Sequence, residues 1–221
     1  MRRNIKPKFI ENLNIRLVLD RSGSMSSCRF ETVDSINEYI NELQKESVKG
    51  IITISIFDNR SIDIPISRVP INKLNKLDYE FLIPRGGTPL FDAIGTAIHD
   101  LSNFNNSDNE KKVLVIVTDG YENASQEYTS SAIKKLIEEK TEEGWLIIYL
   151  GADHEAFTQS ASMGFEYEKT LHYAKSDSRD AFKSVAYRTH DYYKGDRFDK
   201  YAFLEKERKM SNKKLYKYEE E

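Results

Sequence analysis

Five oxygen-bearing residues stand where an α/β sheet gathers its ligands. Asp20, Ser22 and Ser24 alternate in Asp20-Arg21-Ser22-Gly23-Ser24, directly after an aliphatic run. Thr88 follows the pair Gly86-Gly87, and Asp119 stands in Thr118-Asp119-Gly120, after another aliphatic run. Together they offer two carboxylates and three hydroxyls, with no imidazole or thiolate beside them. Such a donor set suits a hard divalent cation, Mg²⁺ or Mn²⁺ ahead of Zn²⁺. Two carboxylates nearly neutralise the ion, while neutral hydroxyls leave it electrophilic toward an anionic ligand from outside. The alternate spacing presents three side chains on one side of a loop, and Gly23 permits a tight turn there.

Residues so far apart in sequence meet only if regular elements carry them to one place. Ile15–Leu19, Ile51–Phe57, Val113–Val117 and Trp145–Leu150 are short and aliphatic, which predicts buried strands. Asp58-Asn59 has turn chemistry and Ser61–Ile66 alternates, which predicts a hairpin and hence an antiparallel edge strand. Residues 67–87 read as an irregular connection. Val33, Ile36, Ile40 and Leu43 recur at helical spacing, as do Phe91, Ile94, Ile98 and Leu101. Thr88-Pro89 is a good helix opening, with Thr as N-cap and Pro at the first helical position. Ser130–Glu143, stopped by Gly144, is a further helix. A short helix over His154–Ser162, a last strand over Lys169–Tyr173 and a last helix over Ser178–Thr189 complete the series. This alternation predicts a doubly wound, mostly parallel central sheet with one antiparallel edge strand and helices on both faces.

Composition bounds the rest. The 221 residues are 39% hydrophobic and carry a net charge of −3, which gives a core and an ordinary surface with no overall basic bias. A single cysteine, Cys28, excludes an internal disulfide and a cysteine-built zinc site. The N-terminal MRRNIKPKFIENLN lacks an apolar run, and no apolar stretch approaches the roughly 20 residues of a membrane span. The expected location is the cytoplasm. Residues 194–217 hold nine Lys/Arg against four Asp/Glu, and apolar periodicity fades from Asp191. The expected organisation is one domain over 1–190 and a charged C-terminal tail over 191–221, dispensable for folding, with Tyr201, Phe203 and Leu204 as anchors if it docks.

The segments LVLDRSGSM, RGGTPLFDAI and VLVIVTDG, in that order, resemble the von Willebrand factor type A family and the elements of its metal-ion-dependent adhesion site (MIDAS). The likeness runs from about Ile15 to Tyr173. It is strongest to stand-alone cytoplasmic A-domain proteins of bacteria and phages, where stretches like Thr118–Ser125 and Leu146–Ala152 look familiar. The resemblance implies a Rossmann-like fold and a complete adhesion site. Ser22, Ser24 and Thr88 would be hydroxyl ligands, with Asp20 and Asp119 acting directly or through water. It further implies a protein-binding module, not an enzyme, whose metal is completed by an Asp or Glu carboxylate of a partner protein. The partner and the oligomeric state are not written in the chain.

Two other functions suit parts of the chain. A Mg²⁺-dependent phosphohydrolase of the haloacid dehalogenase type needs Asp-x-Asp after the first strand, and here Ser22 occupies the third position. A nucleic-acid contact through the basic tail would use Tyr201, Phe203, Tyr216 and Tyr218 for stacking. Lesser candidates have ordinary explanations. Asp153, His154 and Glu155 suit a helix start or a partner contact. Glu122 and Asn123 suit loop packing near the metal. Arg85 suits a loop residue or an anion guide, and Asp92 suits a helix first turn. His99, His172 and His190 lack ligand spacing, Cys28 reads as inert, and Phe57 and Phe91 fit core stripes.

Overall fold

The computed structural model describes residues 13–104, 110–152, 154–195 and 201–216. Asp153 and Tyr218 lie outside the described residues, as do the side chains of His154 and Glu155.

Six strands form one sheet: β1 (Leu13–Asp20), β2 (Gly50–Asp58), β3 (Ser61–Pro70), β4 (Lys111–Thr118), β5 (Leu146–Gly151) and β6 (Thr170–His172). Their order is β3-β2-β1-β4-β5-β6. Every pairing is parallel except β2 with β3. The antiparallel edge and the doubly wound sheet are those expected from the hairpin and the alternation. The edge strand is longer than its sequence suggested, running on to Pro70 through register shifts opposite Ile52–Ile56. The alternation is broken there, with Arg68 at φ 54°, so the pattern alone ended too early.

Helices α1 (Arg29–Lys45), α2 (Leu90–Asn103), α3 (Ser130–Glu142), α4 (His154–Ser162) and α5 (Ser178–Lys194) flank the sheet. Strand β1 is buried along its whole length, and its residues divide by parity. Leu13, Ile15, Leu17 and Leu19 join Val33, Ile36 and Leu43 of α1 and Phe182 and Val185 of α5 in one core layer. Val18 joins Ile94, Ile98 and Leu101 of α2 and Ile133 and Ile137 of α3 in the other, with Phe57 in it and Phe91 packed against it. Strand order reverses between β1 and β4, so their carboxyl ends border the crevice where such sheets place ligands.

The C-terminal segment, expected as a charged tail, is docked where it is described. Helix α5 continues through residue 190 to Lys194 and ends on Gly195 in the left-handed region. Beyond it, α6 (Glu205–Ser211) and the short α7 (Lys213–Tyr216) lie against the β6 side of the sheet. Tyr201 and Phe203 are buried in the core, whereas Leu204 is exposed. Arg208 is buried and donates to the Thr170 and Tyr167 carbonyls at 2.8 and 2.7 Å. The Phe203 N–H donates to the Glu168 carbonyl at 2.8 Å. A charged sequence docks here because one arginine satisfies carbonyls beside the sheet edge, which an apolar-periodicity test does not register. Burial of Tyr201 and Phe203 also removes them as stacking platforms for nucleic acid.

Candidate metal centre

Strand β1 delivers Asp20 to the crevice, and the chain turns at once. The Ser22 N–H donates to Asp20 Oδ1 at 2.7 Å, while the Thr118 hydroxyl at the end of β4 donates to Asp20 Oδ2 at 2.7 Å. The loop then coils into a short 3-10 turn over Gly23–Ser27. The Ser22 and Ser24 hydroxyls lie 3.0 Å apart, and Ser24 donates to Asp119 Oδ1 at 2.5 Å. Four of the five expected residues thus form one chain of polar contacts. The fifth is placed by Gly120. A Cβ on that glycine would lie 3.5 Å from Ser24 Oγ and 3.8 Å from Thr88 Oγ1, so both hydroxyls face the same small space.

The loop carrying Thr88 is cross-linked to its neighbours. The Arg85 N–H donates to the Arg21 carbonyl at 2.8 Å, and the Gly23 N–H to the Gly86 carbonyl at 3.0 Å. Asn59, in the β2–β3 turn, donates its N–H to the Gly87 carbonyl and accepts the Gly87 N–H on its side chain at 3.1 Å. Gly86 has φ 70°, and a Cβ there would fall 2.0 Å from Asn59 Oδ1, so the turn requires glycine. Arg21 and Arg85 both grip the buried Asp58 carboxylate, at 2.7 and 2.8 Å. Burial pushes the Asp58 carboxyl up, but the Arg85 hydrogen bond, the Arg60 N–H and the charges of Arg21 and Arg85 together hold it below the usual carboxylate range. Arg85 therefore ties the loop to the β2–β3 hairpin.

Thr88 does not cap its helix. Helix α2 begins at Leu90, Pro89 is its N-cap, and no side-chain cap bond is made from there. Its early N–H groups are satisfied from another loop. Glu122 Oε2 accepts the Phe91 N–H at 2.9 Å, and Ser125 Oγ accepts the Asp92 N–H at 3.1 Å. In return Asp92 accepts the N–H groups of Gln126, Glu127 and Tyr128. Asp92 is thus a loop clasp, beyond the dipole role its helix position suggested. Glu122 also binds the Ala124 and Ser125 N–H groups. Asn123 holds the Thr88 backbone. Among the described residues, the Thr88 hydroxyl makes no hydrogen bond, although the residue is buried.

Electrostatics favour a cation here. Burial raises the Asp20 carboxyl to about 6, hydrogen bonds from Thr118 and Ser22 oppose the rise, and the neighbouring Asp119 charge adds to it. Sequence reasoning missed one charged neighbour. Lys175, just past β6, donates to Asp119 Oδ2 and to Ser27 Oγ, both at 2.8 Å. No local pattern marks that lysine, because Asp119 is 56 residues away. Cys28 and the three candidate histidines make other contacts. Burial pushes the Cys28 thiol up to about 11. His99 meets Asn103, His172 stacks on Phe157, and His190 faces Glu46.

The donor chemistry, with Ser24 Oγ and Thr88 Oγ1 both close to Gly120, fits a small oxygen-seeking cation. Among the described residues no three His, Cys, Asp or Glu side chains cluster, so nothing here resembles a zinc site built on imidazole or thiolate.

The family model for the von Willebrand factor type A domain matches residues 14–188. Among solved structures, proximal thread matrix protein 1 from the mussel byssus, with a zinc-occupied MIDAS motif, is 16% identical with a TM-score of 0.62. That match covers 80% of this chain and 47% of the mussel protein. The pilus adhesin SpaC from Lactobacillus rhamnosus GG is 12% identical with a TM-score of 0.65, over 83% of this chain and 30% of the adhesin. The manganese-loaded Plasmodium vivax TRAP protein is 14% identical with a TM-score of 0.53, over 78% of this chain and 74% of that one. At such identities the likeness is one of fold. The chain spans about half the length of the mussel protein. No curated protein matches it.

Proposed function

Because the chain belongs to the von Willebrand factor type A domain family, we propose that it is a divalent-metal-dependent protein-binding module. Asp20, Ser22, Ser24, Thr88 and Asp119 would form its complete adhesion site. A Mg²⁺ or Mn²⁺ held there supplies a Lewis-acidic position open to a carboxylate from outside. The observation that carries this reading is Thr88. A buried threonine beside a helix start usually spends its hydroxyl on the cap. Here Glu122 and Ser125 do the capping, and the Thr88 hydroxyl faces the space beside Ser24.

The chain's own residues divide the work. Asp20 and Asp119 supply charge, and the three hydroxyls supply neutral oxygens that leave the cation electrophilic. Thr118 and the Ser22 N–H orient Asp20. Asn59, Arg21 and Arg85 hold the Thr88 loop against the β1 loop. The metal-occupied site of the mussel protein, the manganese of the Plasmodium protein and the adhesin role of SpaC support the reading by analogy. We read the partner's contribution as an Asp or Glu side chain, the module as non-enzymatic and its compartment as the cytoplasm. No helix among the described residues is long and apolar enough to cross a membrane.

The test is calorimetric titration with MnCl₂. A single site is expected in the wild type, lost in Thr88→Ala and Asp20→Ala with unchanged circular dichroism. Absence of binding at millimolar Mn²⁺ overturns the reading. Proteins retained from source-cell extract with Mg²⁺ but not EDTA should then lose binding when one of their acidic residues becomes its amide.

A further inference from the structure

We propose that Lys175 is a resident competitor of the metal, a tethered ammonium that balances Asp119 and so sets the affinity of the site for divalent cations. The inference rests on the metal-site reading above.

The Asp119 side chain is 0% exposed, and a buried carboxylate left unpaired is strongly destabilising. Both its oxygens are engaged, Oδ1 by Ser24 and Oδ2 by Lys175. Lys175 thus supplies to Asp119 the positive charge that a divalent cation would bring. Its bond to Ser27 reaches the same 3-10 turn that carries Ser24, so the ammonium links the two halves of the site.

The lysine is presented by a built segment. The Tyr173 N–H donates to the Gly151 carbonyl at the end of β5, and the Ala174 N–H to the Ser211 carbonyl of α6. Asp177 accepts the Lys213 N–H at 3.0 Å. Residues on both sides of Lys175 are therefore pinned, partly by the C-terminal arm. The side chain itself is 27% exposed, so its head can move to water when displaced. A flexible lysine stem suits such exchange better than a rigid guanidinium fork. A divalent ion entering beside this ammonium meets like charge, whereas two carboxylates alone would neutralise it. A like charge at close range disfavours a cation by about tenfold or more.

The experiment is MnCl₂ titration, by calorimetry and by the loss of the free-Mn²⁺ paramagnetic resonance signal. The proteins are the full-chain wild type, Lys175→Met, Lys175→Arg and Ser27→Ala. Lys175→Met is expected to bind Mn²⁺ about tenfold more tightly, and Lys175→Arg no more tightly than wild type. Ser27→Ala, which removes one anchor of the ammonium, should shift affinity the same way by less, and decides the matter if Lys175→Met does not fold. Metal-free Lys175→Met should melt below wild type and gain more on saturation. Equal or weaker Mn²⁺ affinity in Lys175→Met, with wild type binding, overturns the role of Lys175 and leaves the metal site standing. No binding by any variant overturns both.

Discussion

Thr88 and Asn123 hold each other twice: the Thr88 N–H donates to Asn123 Oδ1 at 2.8 Å, and the Asn123 N–H donates to the Thr88 carbonyl at 3.1 Å. The pair joins the loop before α2 to the loop after β4, and so joins a hydroxyl candidate to the strand end that carries Asp119. Asn123→Ala leaves the Thr88 N–H without its acceptor, at a cost of about 1–3 kcal/mol. Metal-free melting should fall and Mn²⁺ affinity should drop, while Asn123→Asp, which keeps the acceptor, retains most of both. Calorimetry beside thermal melting separates the two effects.

Gly86→Ala tests the turn that presents Thr88. Its φ of 70° strains any L side chain, and the new methyl would collide with Asn59. The expected result is a folded protein with lowered stability and a weakened metal response. An unchanged Mn²⁺ isotherm would mean that Thr88 does not depend on this turn.

Asp20→Asn should stabilise the metal-free protein while abolishing its response to metal. The folded carboxyl is raised from 3.8 to about 6, so the native state holds a proton more tightly than the unfolded chain. Stability therefore falls as pH rises from about 4 to 6, and ionised Asp20 costs on the order of 2–3 kcal/mol above that window. The amide keeps an acceptor for the Ser22 N–H and removes the charge. Melting in EDTA should show the variant above wild type at pH 7.5 and level with it near pH 4. A variant below wild type at both would make Asp20 a structural carboxylate.

The C-terminal arm should matter to stability, against the expectation that residues 191–221 are dispensable for folding. Removal exposes core around Tyr201 and Phe203 and frees carbonyls held by Arg208. Truncation after Lys194 should lower the melting temperature by roughly 10 °C. Arg208→Met, which leaves the Thr170 and Tyr167 carbonyls without their donor, should cost about 2 kcal/mol. A truncated protein that melts with the full chain would restore the arm to the status of a tail.

The sequence by itself determined the sheet and the chemistry offered to a ligand. Aliphatic runs such as Val113–Val117 are local signals of buried strands, and the turn at Asp58-Asn59 marked the antiparallel edge. The oxygen donors were legible because they sit at strand ends, where topology makes position meaningful. The tertiary structure decided what surrounds those donors. It starts α2 at Leu90 and caps it from Glu122 and Ser125, more than thirty residues on, which leaves the Thr88 hydroxyl to the crevice. It also sets Lys175 against Asp119 and docks Arg208 beside β6. These contacts join side chains to distant backbone groups or to single distant charges. Periodicity and composition register neither, because both measure only what neighbouring residues share.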